Sequence, residues 1–205
     1  MFSAIRHGKS SIMRLCFNVI HLIGLCLMLP LSGQAHQVPN MTIEADFSKP
    51  GSYELKINVD PRVFLSNQPT TLPPVEAAWY LKQSPSELEA TYKLATEHLE
   101  KHLKLLFNSM AVPMPKPSWQ GMDGATSGEV TAVTTETHLL ETVKANLPAG
   151  AENFALSFAP EAQVSLILLL KSSPETEPKV MVIFPGESSR PFAFLAVKPE
   201  AETAK

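Results

Sequence analysis

The sequence predicts a mainly β protein, an antiparallel Ig-like β-sandwich carrying one helical insertion. Three observations predict it. Apolar and polar residues alternate on both sides of the Pro-Gly turn at Lys49-Pro50-Gly51-Ser52. A series of short apolar segments, each closed by proline or glycine, fills the stretch from His138 to Val197. A single stretch, Val75 to about Leu103, has the period of a helix instead.

The folded domain begins after a leader. Residues 1–14 carry Arg6, Lys9 and Arg14 and no acid, the run from Leu15 to Leu31 is apolar, and Gly33-Gln34-Ala35 supplies small residues. A basic segment, an apolar segment and a small-residue exit are the parts of a secretory signal peptide, which predicts cleavage after Ala35 and an exported protein, periplasmic or secreted. The apolar run is at the short end of what a spanning helix needs, so an anchor is the weaker reading. Removing residues 1–35 leaves 170 residues with 14 Lys and Arg against 20 Asp and Glu, a net charge of -6. Both cysteines, Cys16 and Cys26, leave with the leader. The remaining chain therefore has no thiol for catalysis, metal thiolate or redox exchange, and no basic patch to release counterions from nucleic acid. No second apolar run reaches spanning length, which predicts no membrane insertion after cleavage.

The elements follow in order. Met41 to Phe47 and Tyr53 to Val59 alternate and form a hairpin over the Pro50-Gly51 turn. Leu65 to Pro74 is loop. Ser84, Pro85 and Glu87 make a capping box with proline in the first turn, and Leu88, Tyr92, Ala95, Leu99, Leu103 and Leu106 then recur at steps of three and four. Leu103 to Phe107 fits the end of that helix or a strand equally well. Val112 to Gly128, with Pro113, Pro115, Pro117, Gly121, Gly124 and Gly128, reads as a long surface loop. Strands follow at His138–Leu147, Asn153–Phe158, Gln163–Lys171, Lys179–Phe184 and Arg190–Val197. Residues 36–198 form one domain, and residues 199–205 are a polar, frayed tail.

The residues that point to chemistry are few. Cleavage after Ala35 makes His36 the new amino terminus, and a terminal histidine offers an α-amino nitrogen and an imidazole nitrogen, a chelating pair suited to Cu(II). His98 and His102 lie four apart, one above the other on a helix face, at the spacing of zinc or copper ligands, although no H-E-x-x-H motif surrounds them. His138 is a further imidazole. Met110, Met114, Trp119 and Met122 offer thioethers and an indole to Cu(I), or plug the loop against the sheet. Ser188 and Ser189 are no nucleophile elbow, because Arg190 stands where G-x-S-x-G needs glycine.

Ala35-His36-Gln37-Val38-Pro39, the hairpin from Met41 to Val59 and the late stretch Val180 to Gly186 together resemble the extracytoplasmic N-terminal domain of HupE/UreJ-like membrane proteins. The resemblance implies an Ig-like sandwich and an association with nickel, cobalt or copper handling that would centre on His36. The membrane bundle of that family has no counterpart in these 205 residues, so the resemblance carries over no transport. The expected function is a non-enzymatic exported binding or accessory domain with an envelope protein as partner and no cofactor. The alternative is a copper-binding protein using His36, joined by one or more of His98, His102 and His138; an exported enzyme is third.

Overall fold

The computed structural model describes residues 39–194, so the leader, His36 and the tail lie outside the described residues. Alternation produces the first hairpin. Strand β1 (Met41–Asp46) pairs antiparallel with β2 (Ser52–Val59), Met41 opposite Val59, and the turn between them contains Gly51 at φ 71°. That positive φ is where a residue without Cβ is needed. Met41, Ile43 and Ala45 face inward with Tyr53, Leu55, Ile57 and Val59, while Glu44 and Lys56 face water.

Three helices follow, α1 (Arg62–Leu65), α2 (Ala77–Leu81) and α3 (Pro85–His102), with a short 3-10 turn at Pro69–Thr71 inside the expected loop. Helix α3 opens on the expected capping box. Ser84 Oγ accepts from the Glu87 amide, and Glu87 Oε2 accepts from the Ser84 amide at 2.7 Å. Ala95, Leu99 and His102 form its buried stripe. The ambiguous segment at the end of α3 is strand β3 (Leu103–Phe107), which enters a turn at Asn108 and Ser109, both at positive φ, and returns as β4 (Met110–Val112).

The proline-rich stretch corrects the sequence reading. Ser118–Asp123 is strand β5, hydrogen-bonded along β6 (Thr137–Asn146), where a surface loop was expected over 112–128. It is the last strand of its sheet, where missing ladder donors and glycine are tolerated. The later strands are β7 (Asn153–Phe158), β8 (Leu166–Lys171), β9 (Lys179–Ile183) and β10 (Phe192–Ala193). Strand β8 begins at Leu166, three residues after the expected Gln163, and of the expected Arg190–Val197 strand the described part is Phe192–Ala193.

The described residues thus form a mainly β protein of ten strands in two sheets, in the orders β5-β6-β2-β1-β8-β9 and β10-β7-β3-β4. All pairings are antiparallel except β1 with β8, which run parallel, Met41 beside Leu166. One apolar core draws on both sheets: Ile43, Leu55, Ile57, Val143 and Leu168 from the larger, Leu105, Phe107, Phe154 and Leu156 from the smaller. Phe107 lies 5.2 Å from the Tyr53 ring and 5.3 Å from Phe154, and Phe47 stacks on Phe194 at 4.5 Å. Each such fully buried side chain contributes about 1.5–3 kcal/mol of transfer free energy. No described helix is long and apolar enough to cross a membrane.

Candidate functional site

Polar residues at alternate positions meet at one end of the larger sheet. Strand β2 places Asn58 on its outer face and Asp60 follows its last residue; α1 opens with Arg62; Glu136 precedes β6 and His138 lies in its first pleat, on the same face as Asn58. Asp60 and Arg62 are each 1% exposed, and His138 is 7% exposed. Burying charges this completely is costly unless they are paired, and the geometry supplies the pairs. Asp60 Oδ1 accepts from the Arg62 amide at 2.9 Å, and Oδ2 accepts from Arg62 Nε at 2.8 Å and Nη2 at 2.5 Å. Arg62 Nη1 donates to the Leu72 carbonyl at 3.0 Å, tying the 3-10 turn to the cluster. Glu136 Oε1 lies 3.6 Å from Nη2 of the same guanidinium.

His138 completes the cluster from the sheet side. Its Nδ1 is 2.7 Å from Asn58 Oδ1, an acceptor, so Nδ1 carries a proton and Nε2 is the ring nitrogen turned toward the carboxylates. That Nε2 lies 3.3 Å from Glu136 Oε1 and 3.9 Å from Asp60 Oδ2, yet it makes no hydrogen bond. Asp60, Glu136 and His138 bring one ligand atom each within 4.8 Å of one another, and among the described residues they are the group of three able to converge on a cation. The 123–136 segment covers them. Asp123 holds that segment, accepting from the Ala125 and Thr126 amides and from Thr134 Oγ1 at 2.7 Å, and these hydrogen bonds hold its carboxyl below the usual range.

No family model, curated protein or solved structure matches the chain. The chemistry of its sites therefore has to be read from the side chains themselves.

The sequence-predicted ligands fall elsewhere. His36 lies outside the described residues. His98 and His102 are brought together on α3, their rings 4.3 Å apart, beside a cleft of about 150 Å³ that Phe64, Lys101 and Glu161 also line. His102 Nδ1 bonds the His98 carbonyl at 2.8 Å. Burial, then the neighbouring His102 and Lys101, pushes His98 down to about 4, so it is neutral near pH 7. The methionine and tryptophan group disperses: Met110 is exposed, Met114 and Trp119 pack against the core, and Met122 is buried opposite His138 on β5. Trp119 Nε1 donates to Thr96 Oγ1 at 3.0 Å, so the indole fastens the sheet to α3.

Two features were not read from the sequence at all. Glu141 sits inward on β6 between Leu139 and Val143, fully buried, with neither carboxylate oxygen hydrogen-bonded. Burial, then the charge of Glu100, pushes its carboxyl up to about 7. The other feature is the outer face at the β8–β9 end of the larger sheet. Ile167 pairs across with Val182 and Leu169 with Val180; the two valines and Phe184 are more than half exposed. Strand β1 faces the same way with Thr42 and Glu44, so the apolar patch ends sharply there.

Proposed function

We propose that the chain is an exported, non-enzymatic binding domain that receives an extended segment of another envelope protein along β9. The observation that carries the reading is the combination of a free strand edge with an apolar outer face. Strand β9 ends its sheet, and among the described residues its second edge pairs with nothing, leaving backbone donors and acceptors that an added strand would satisfy. Proteins usually blunt such an edge with charge, whereas here Val180, Val182 and Phe184 line it. A groove of about 640 Å³ runs between β9 and residues 187–190, with Lys179 and Arg190 exposed along it. Two cations against the single exposed acid Glu187 on the same groove favour an incoming segment with apolar residues at alternate positions and an acidic side chain. The shared core of the two sheets and the capped helix α3 ahead of β3 support reading the domain as an Ig-like sandwich with a helical insertion.

The test places a photo-crosslinking side chain at Val182, and separately at exposed Gln120 on β5 at the opposite edge, in cells of the source. An adduct with a different protein at Val182 but not at Gln120, lost when Val180→Lys is added, is the expected result. Equal labelling at both positions, adducts only between copies of this chain, or no adduct overturns the reading.

A further inference from the structure

We propose that Asp60, Glu136 and His138 form a zinc site, with Asn58 and Arg62 as its outer supports. The inference starts from an unsatisfied atom. His138 is nine-tenths buried, its Nδ1 is committed to Asn58 Oδ1, and its Nε2 points at two carboxylate oxygens without a hydrogen bond. On a neutral ring that nitrogen's lone pair would face anionic oxygens in a dry site, which is repulsive unless a positive charge lies between them, and a divalent metal ion supplies it.

Distance and charge point to a divalent metal. Zinc bonds to imidazole nitrogen and carboxylate oxygen run about 2.0–2.2 Å, which sets neighbouring ligand atoms about 3.4 Å apart in a tetrahedron. The separations from His138 Nε2 are 3.3 and 3.9 Å, with all three atoms inside 4.8 Å. Two carboxylates against one guanidinium leave the cluster negative, and a nitrogen-containing ligand set favours zinc over magnesium or calcium. A histidine ligand whose other ring nitrogen donates to a fixed acceptor is the usual way a protein sets the tautomer of a metal-binding imidazole; Asn58 does that here.

The covering backbone is shaped for the same place. A Cβ on Gly124 would fall 2.9 Å from His138 Nε2 and Cδ2 and 2.9 Å from Glu136 Cγ, while the Gly124 amide donates to the Glu136 carbonyl at 2.7 Å. Only glycine lets the loop close over the cluster. Three protein ligands leave the fourth position for water.

The experiment measures zinc retained by the tag-free protein after equilibrium dialysis near neutral pH, and follows the histidine ring signals by NMR during zinc addition. One tightly held zinc per chain is expected, with the His138 ring shifting. Retention should be unchanged in His36→Ala and in His98→Ala with His102→Ala, lost in His138→Ala and Glu136→Gln, and weakened roughly 10- to 100-fold in Asn58→Ala. No retained zinc, full retention in His138→Ala, or shifts confined to the other histidines overturns the proposal. If the cluster variants do not fold, the ring shifts of the unaltered protein decide the matter alone.

Discussion

Replacing Glu141 by glutamine should remove a pH-dependent penalty on the fold. Glu141 projects into the core between Leu139 and Val143 with no partner for either oxygen, and burial with the Glu100 charge lifts its carboxyl from 4.5 to about 7. In the unfolded chain the same group ionises at its ordinary value. Below about pH 4.5 both states hold the proton and there is no pH-dependent penalty; between about 4.5 and 7 the unfolded chain has released it while the folded protein keeps it, so stability falls, levelling off once both are ionised. At about 1.4 kcal/mol per pH unit, the loss between pH 4.5 and pH 8 is about 3 kcal/mol. Glutamine fills the same space without ionising. Urea unfolding of both proteins, followed by tryptophan fluorescence at intervals from about pH 5 to about pH 9, should give similar stabilities at the acid end and an advantage of about 3 kcal/mol for Glu141→Gln at the alkaline end. Two curves that stay parallel across that range would show that Glu141 ionises in the folded protein as easily as in water, and would refute the reasoning.

Ser84→Ala removes the acceptor for the Glu87 amide and breaks the reciprocal capping box at the start of α3, so a loss of about 1 kcal/mol is expected in the same unfolding assay. Gly121→Ala should cost about 1–3 kcal/mol, because its Cβ would stand 2.4 Å from the Tyr80 ring and displace a hydroxyl that accepts from the Gly121 amide at 2.9 Å and bonds Tyr92 at 2.8 Å. A double-mutant cycle with Tyr80→Ala should show most of that cost disappearing once the ring is gone.

The first hairpin and the start of α3 could be read from the sequence because their signals are local. Alternation around Gly51 and the Ser84-Pro85-Glu87 cap each depend on residues a few positions apart. Strand β5 was hidden for the opposite reason: Trp119, Gly121 and Met122 look like loop residues until Tyr80, about forty positions earlier, is seen lying over Gly121. The parallel neighbour of β1 was equally invisible, since alternation reveals which residues face the core but not which strand lies alongside. Asp60-x-Arg62 and Glu136-x-His138 are period-two pairs that carry a signal. Their meeting depends on the register of β2 against β6, which joins Asn58 to a histidine 80 residues away. Glu141 escaped notice because a carboxyl flanked by apolar residues at alternate positions looks like a solvent-facing residue with the phase reversed.

The parallel contact between β1 and β8 also bears on how the chain reaches its folded state. Strand β1 lies between β2 and β8, so the first described strand is an interior one whose second partner begins at Leu166. Closing that contact requires a loop of more than a hundred residues, and such non-local pairing slows folding. A nascent chain that has delivered β1 and β2 still exposes the open edge of β1 until β8 emerges. Until then that edge offers unpaired backbone donors and acceptors on which another chain can pair, so β1 is guarded against edge-to-edge association only once β8 is in place.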